Sequence, residues 1–189
     1  MDKRKPGLYM HMQGDEMAVN DSDIAPPASI PGSAGRMIGG VDCRDVAGCT
    51  CLRLRRAGRM ATQIFDAHLQ PAGLTIGQFG IMTQIYGSSL SRPPMTMKEL
   101  SNAIGMDPTT LNRTLKPLEA QRLVGTTPDG RDRRARCIHL TKSGRKRLAQ
   151  AMPLWRAADD ELRRTVGAET TLALSGLLSL ASEKLRKPE

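Results

Sequence analysis

The sequence predicts a mainly α fold with a small β-hairpin wing: a winged helix-turn-helix joined to a helical dimerisation region. Three observations predict it. Residues 96–140 hold two short helical patterns separated by a glycine, then two short strand patterns. Longer helical patterns flank that segment on both sides. Nearly all the excess charge lies within it, since residues 92–147 carry 13 Lys/Arg against 5 Asp/Glu, a net +8 of the chain's +9.

Residues 1–40 are rich in Gly, Pro, Ser and Met and include the breaker cluster PPASIPGSAG. They are expected to form a disordered or loosely docked arm. Over 41–69 the steps between Leu54, Ala57, Ala61, Ile64, Phe65 and Leu69 predict a long helix, ended by Pro71 and Gly73. Thr75 and Gln78 have capping-box spacing and open a helix with Phe79, Met82, Ile85 and Tyr86, ending near Gly87.

Thr96 and Glu99 form a second capping box, before Leu100, Ala103 and Ile104. Gly105 breaks that helix, and Asp107 with Pro108 restarts the chain as cap and first helical residue. The next helix turns Leu111, Leu115 and Leu118 toward a core, and shows Thr109, Thr110, Asn112, Arg113 and Lys116 outward. Pro117 is expected to kink it without ending it. Residues 123–124 and 137–140 read as strands joined by TPDGRDRRAR. A basic helix face followed by an arginine-rich hairpin fits a reading helix for the major groove and a wing for the minor groove. From Thr141, a cap, a helix runs to about Val166 with a kink expected at Pro153. Gly167 interrupts, and a last helix covers 168–185 with Leu172, Leu177, Leu178, Leu180 and Leu185. The domains expected are thus an arm at 1–40, a winged helix-turn-helix at 74–141, and a dimerisation region from 41–72 and 142–186.

Only 3% of the 189 residues are aromatic, so the core must be built from Leu, Met, Ile and Ala. No apolar run is long enough for a transmembrane helix. MDKRK is followed by no apolar stretch, so no signal peptide is expected. The four cysteines are too few for a disulfide scaffold at this length, which fits a reducing cytoplasm. There is no Gly-rich phosphate loop, G-x-S-x-G or HExxH, so neither an enzyme nor a cofactor is expected. Cys43, Cys49 and Cys51 lack zinc spacing and have no histidine close in sequence, so no metal is expected.

The stretches LTIGQFGIM (74–82), MTMKELSNAIGMDPTTLNRTLKPLEAQRLV (95–124) and DGRDRRARCIHLTKSG (129–144) together resemble the MarR family of winged-helix regulators. The most specific of them joins an Asp-x-Arg-Asp-x-Arg wing to a strand and Leu-Thr-x-x-Gly. The resemblance covers about residues 45–186. It implies a homodimer made by the first and last two helices, and a second motif helix that reads the major groove of double-stranded DNA at a palindromic operator. Asp129 and Arg131 match the family's wing Asp-x-Arg, so Arg131 would enter the minor groove, oriented by Asp129. Arg133, Arg134, Lys142 and Arg145 would contact phosphates, Arg113 a guanine edge, and Asn112 or Thr110 a base or phosphate.

The resemblance also implies release from DNA by a small effector, often an aromatic acid, and hence a ligand-responsive repressor. Candidates for its pocket are Arg59 and His68 for a carboxylate and Phe79, Met82 and Trp155 for a ring, although Phe79 and Met82 also fit ordinary core positions. An alternative is thiol-based sensing, because Cys51 falls where the peroxide-sensing branch has its reactive cysteine. Arg53, Arg55 and Arg56 lie beside it, but the branch's two tyrosines fall at Phe65 and Ile76, which carry no hydroxyl. A further alternative is a non-specific DNA- or RNA-binding architectural protein.

Overall fold

The computed structural model describes residues 37–90, 94–129 and 136–186. The chain divides into two compact units, residues 1–48 and 49–189. The first holds a hairpin of β1 (Met37–Ile38) and β2 (Val41–Asp42), turned by Gly39 and Gly40, both at positive φ, and then α1 (Cys43–Ala47). Asp42 caps α1 by accepting from the Arg44 N–H at 2.8 Å, and it pairs with the Arg44 guanidinium.

The second unit begins with α2 (Thr50–Leu69). The single helix expected over 41–69 is therefore replaced by a hairpin, a five-residue helix and a break at Gly48 and Cys49. Gly39 and Gly40 take the positive φ that turns the hairpin, Asp42 opens a new short helix as its cap, and Gly48 closes it, so no continuous helix runs through 39–49. The remainder of the arm, 1–36, lies outside the described residues. A 3₁₀ turn (Gln70–Ala72) and left-handed Gly73 end α2 where Pro71 and Gly73 foretold it.

The order then follows the sequence closely: α3 (Ile76–Ser89), α4 (Met97–Ile104), α5 (Pro108–Ala120), β3 (Val124–Pro128), β4 (Arg136–Leu140), α6 (Lys142–Val166) and α7 (Ala168–Leu185). Both capping boxes form, Thr75 with Gln78 and Thr96 with Glu99. Pro117 and Pro153 sit inside continuous helices. β3 and β4 pair antiparallel, with Val124 opposite Leu140 and Pro128 opposite Arg136. The segment before α4 joins this hairpin, since the Ile138 N–H donates to the Met95 carbonyl at 2.8 Å.

The core lies where α3, α5, the hairpin and the first half of α6 meet. Leu69, Ile81, Met82, Ile85, Leu100, Leu111, Leu118 and Ile138 are fully buried there. Each such side chain contributes about 1.5–3 kcal/mol by leaving water. Outside this core, Leu52, Leu54 and Met60 on α2 and Leu172, Leu177, Leu180 and Leu185 on α7 are all exposed.

Candidate nucleic-acid interface

Two helices and a tight turn build the centre of the site. Gly105 adopts left-handed geometry (φ 66°) and ends α4. The turn is locked from within: the buried Ser101 hydroxyl donates to the Met106 carbonyl at 2.5 Å, and the Met106 N–H returns a bond to the Ser101 carbonyl at 3.2 Å. Asp107 then caps α5, accepting from the N–H groups of Thr109 and Thr110, each at 3.0 Å. Bonds from Thr110, side chain and backbone, with that from the Thr109 N–H, hold the Asp107 carboxyl below the usual carboxylate range. The helix start is thereby fixed by side chains local to it, with Pro108 in the first turn.

On α5, Leu111, Leu115 and Leu118 are buried. The opposite face exposes Thr109, Asn112, Arg113 and Lys116, and Thr110 is half-buried at the edge. Amides, hydroxyls and a guanidinium therefore share one solvent face of a helix anchored on its other side. These groups can donate to and accept from base edges and phosphates. On the hairpin, the Arg136 guanidinium donates to the Thr126 hydroxyl at 2.6 Å across the strands, and Asp129 is half-buried at the end of β3. Residues 130–135 lie outside the described residues, and with them Arg131, Arg133 and Arg134. Lys142 is exposed in the first turn of α6, and Arg145 is exposed with one guanidinium N–H on the Leu140 carbonyl at 3.3 Å.

Sequence reading passed over two groups in this region. Arg122, exposed at the end of α5, is the one non-glycine residue at positive φ (55°) among those described. No local signal marks it, because arginine is not a residue expected there. Ser101 looks like an ordinary helix serine until Met106 is placed against it.

Of the ligand-pocket candidates, Phe79 and Trp155 come together. Phe79 and Met82 belong to the core, and Phe79 stacks on half-buried Trp155 with ring centroids 6.1 Å apart and planes at 12°. His68 is bonded to Glu161 of α6 at 2.7 Å. Arg59 is exposed nine residues before His68, which places it about 180° around the helix. Cys49 caps α2 and Cys51 lies in its first turn, both exposed free thiols. Among the described residues no group of three metal-binding side chains comes together, and no helix is long and apolar enough to cross a membrane.

A family model described as the MarR family matches residues 72–135. The M. tuberculosis transcriptional regulator MosR, solved in complex with DNA, is 36% identical, over 72% of this chain and 98% of that one, with a TM-score of 0.60. E. coli MarR in its apo form shares the fold at 22% identity, over 70% of this chain and 96% of that one, with a TM-score of 0.58. An uncharacterized HTH-type transcriptional regulator of Bacillus subtilis (strain 168), YybA, is 29% identical over 135 residues, 70% of this chain and 80% of its own length. The regulators of this family act on transcription and are not enzymes. The chain belongs to the MarR family of winged-helix transcriptional regulators.

Proposed function

We propose that this regulator binds a palindromic operator as a homodimer and represses transcription until a small effector releases it. The observation that carries the reading is the face of α5, where Thr109, Asn112, Arg113 and Lys116 stand exposed over a buried leucine stripe and a double-locked turn. The relative MosR, crystallised with DNA, supports the same use of this face. Thr110, Asp129, Arg131, Arg133, Arg134, Lys142 and Arg145 complete the proposed contacts to bases and phosphates. The exposed leucines of α2 and α7 support a dimer, because so many large apolar side chains left in water on two helices are what an interface would cover. The proposed division is a winged domain at 74–141 and a dimerisation region from α2, α6 and α7. A regulator of this kind works in the cytoplasm, where operator DNA lies.

The test is a fluorescence-anisotropy titration against the gene's own upstream DNA and a scrambled control at physiological salt. Tight binding to the native fragment alone, at one dimer per site, supports the specific regulator. Equal, weak binding to both fragments favours a non-specific architectural protein, since phosphate contacts alone do not discriminate sequence. Adding aromatic acids to the complex then searches for the effector.

A second reading places the signal at Cys51. Its exposure in the first turn of α2, with Arg55 one turn on, favours it. Peroxide should then release the native protein from DNA but not Cys51→Ser, and equal release of both excludes this route.

A further inference from the structure

The turn that follows α5 meets the start of α6 at a short joint. Arg122, in the left-handed region, turns the end of α5 so that two consecutive carbonyls, its own and that of Leu123, face Thr141 at the start of α6. The Thr141 N–H donates to the Leu123 carbonyl at 3.0 Å. The Thr141 hydroxyl donates to the Arg122 carbonyl at 2.7 Å, with the Leu123 oxygen 3.2 Å away. The Thr141 hydroxyl oxygen in turn accepts from the Gly144 N–H at 3.0 Å and so caps α6. Gly144 is buried directly against the Leu123 carbonyl, and a Cβ at that position would overlap the backbone oxygen. The first turn of α6 therefore sits closer to the end of α5 than any side chain permits.

A hydroxyl has one hydrogen and two lone pairs. At Thr141 the hydrogen is committed to the α5 side of the joint and a lone pair to the α6 side. One hydroxyl thus bonds to both sides of the joint. We propose that the Thr141 hydroxyl is a positioning group that sets which operator half-site spacing the protein accepts. The proposal rests on the dimeric operator-binding reading above. In a two-fold dimer, α6 belongs to the paired region and α5 enters the groove. The distance between the two reading helices then depends on the angle held at this joint. One base pair more or less between half-sites shifts the second site by about 3.4 Å and turns it by about 35°. A joint that keeps the hydroxyl bond to Arg122 beside the N–H bond and the backbone contact resists that change, whereas one that has lost the hydroxyl bond follows it more readily.

The test uses the full chain and an operator recovered by site selection, with versions carrying one base pair added or removed between half-sites. Affinities are measured for the native protein, Thr141→Ser, Thr141→Val and Thr141→Asp. Serine keeps both bonds of the hydroxyl. Valine keeps the shape and loses both. Aspartate keeps the helix cap but cannot donate to Arg122, which separates capping from the joint. The native protein and the serine variant should bind altered spacings about tenfold or more weakly than the native spacing. In the valine and aspartate variants that ratio should fall to about twofold. A general loss of stability, or the added negative charge of aspartate, weakens binding to every operator alike and leaves the ratio unchanged. An unchanged ratio in the aspartate variant, whatever the valine variant does, overturns the proposal, because the bond to Arg122 is then not what sets the spacing. A native protein that selects no operator at all defeats the regulator reading instead, and does so before any variant is made.

Discussion

The imidazole of His139 lies across the wing hairpin against Gly125, its Nε2 2.8 Å from where a Cβ on residue 125 would stand. The two residues are direct partners in the β3–β4 register. A side chain at 125 would therefore have to displace the ring.

This pair gives the first prediction. Gly125→Ala should destabilise the protein by about 1 kcal/mol, because the ring must leave its place although alanine is otherwise better than glycine in a strand. In a His139→Ala background the same change should be neutral or stabilising. Thermal melts of the four proteins check this as a double-mutant cycle. A cost at 125 that is the same with and without His139 would show that the ring does not govern that position.

Arg122 gives the second. A non-glycine residue in the left-handed region costs about 1–2 kcal/mol relative to glycine. Arg122→Gly should remove most of that strain, less the greater freedom glycine has in the unfolded chain. The melting temperature should then rise by about 2–4 °C, the scale of 1 kcal/mol in a protein of this size. Arg122→Ala keeps the strain and should show no rise, which separates backbone relief from loss of the charge.

The helix starts were legible because their determinants are local. Thr75 with Gln78, Thr96 with Glu99, and Asp107 with Pro108 each signal within four residues, and each forms as read. The last two helices were read to their ends, because Gly167 interrupts two apolar patterns in the sequence itself. The first helix was overextended. Its apolar periodicity begins only at Leu54, and the Gly39-Gly40 turn signal that makes the hairpin before it was passed over. What sequence could not carry is contact between distant residues. Gly144 needs its missing side chain because of Leu123, and His68 meets Glu161 93 residues away. For a related reason nothing local records that Phe79 stacks on Trp155, that Arg59 and His68 lie on opposite sides of α2, or that Met82 is sealed in the core.

Asp107 makes stability depend on acid. Its folded-state carboxyl titrates below the ordinary 3.8, chiefly through bonds from Thr110. A depressed carboxyl stabilises the fold at any pH above the unfolded value and loses that contribution as pH falls through the folded one. Asp107→Asn caps a helix comparably but carries no titrating group. The two proteins should melt in parallel from neutral pH to about pH 4, and below that the native protein should lose stability faster. Parallel curves throughout the acid range would mean that the cap makes no titratable contribution.

Under the proposed function Arg113 and Lys142 should fail in different ways on DNA, because one faces outward from α5 and the other stands at the start of α6. A guanidinium on a guanine edge distinguishes that base from others, so Arg113→Ala should cost about 1–3 kcal/mol on the native operator and much less on an operator changed at that base pair. An ammonium on a phosphate recognises no sequence. Lys142→Ala should weaken native and changed operators to the same extent and lower the slope of log affinity against log salt by about 1. Titrations of both variants over a salt series, on native and single-base-changed operators, measure the two signatures together. If Arg113→Ala weakened all operators equally and flattened the salt dependence, the guanidinium would be a phosphate contact, and base reading on α5 would pass to Asn112 and Thr110.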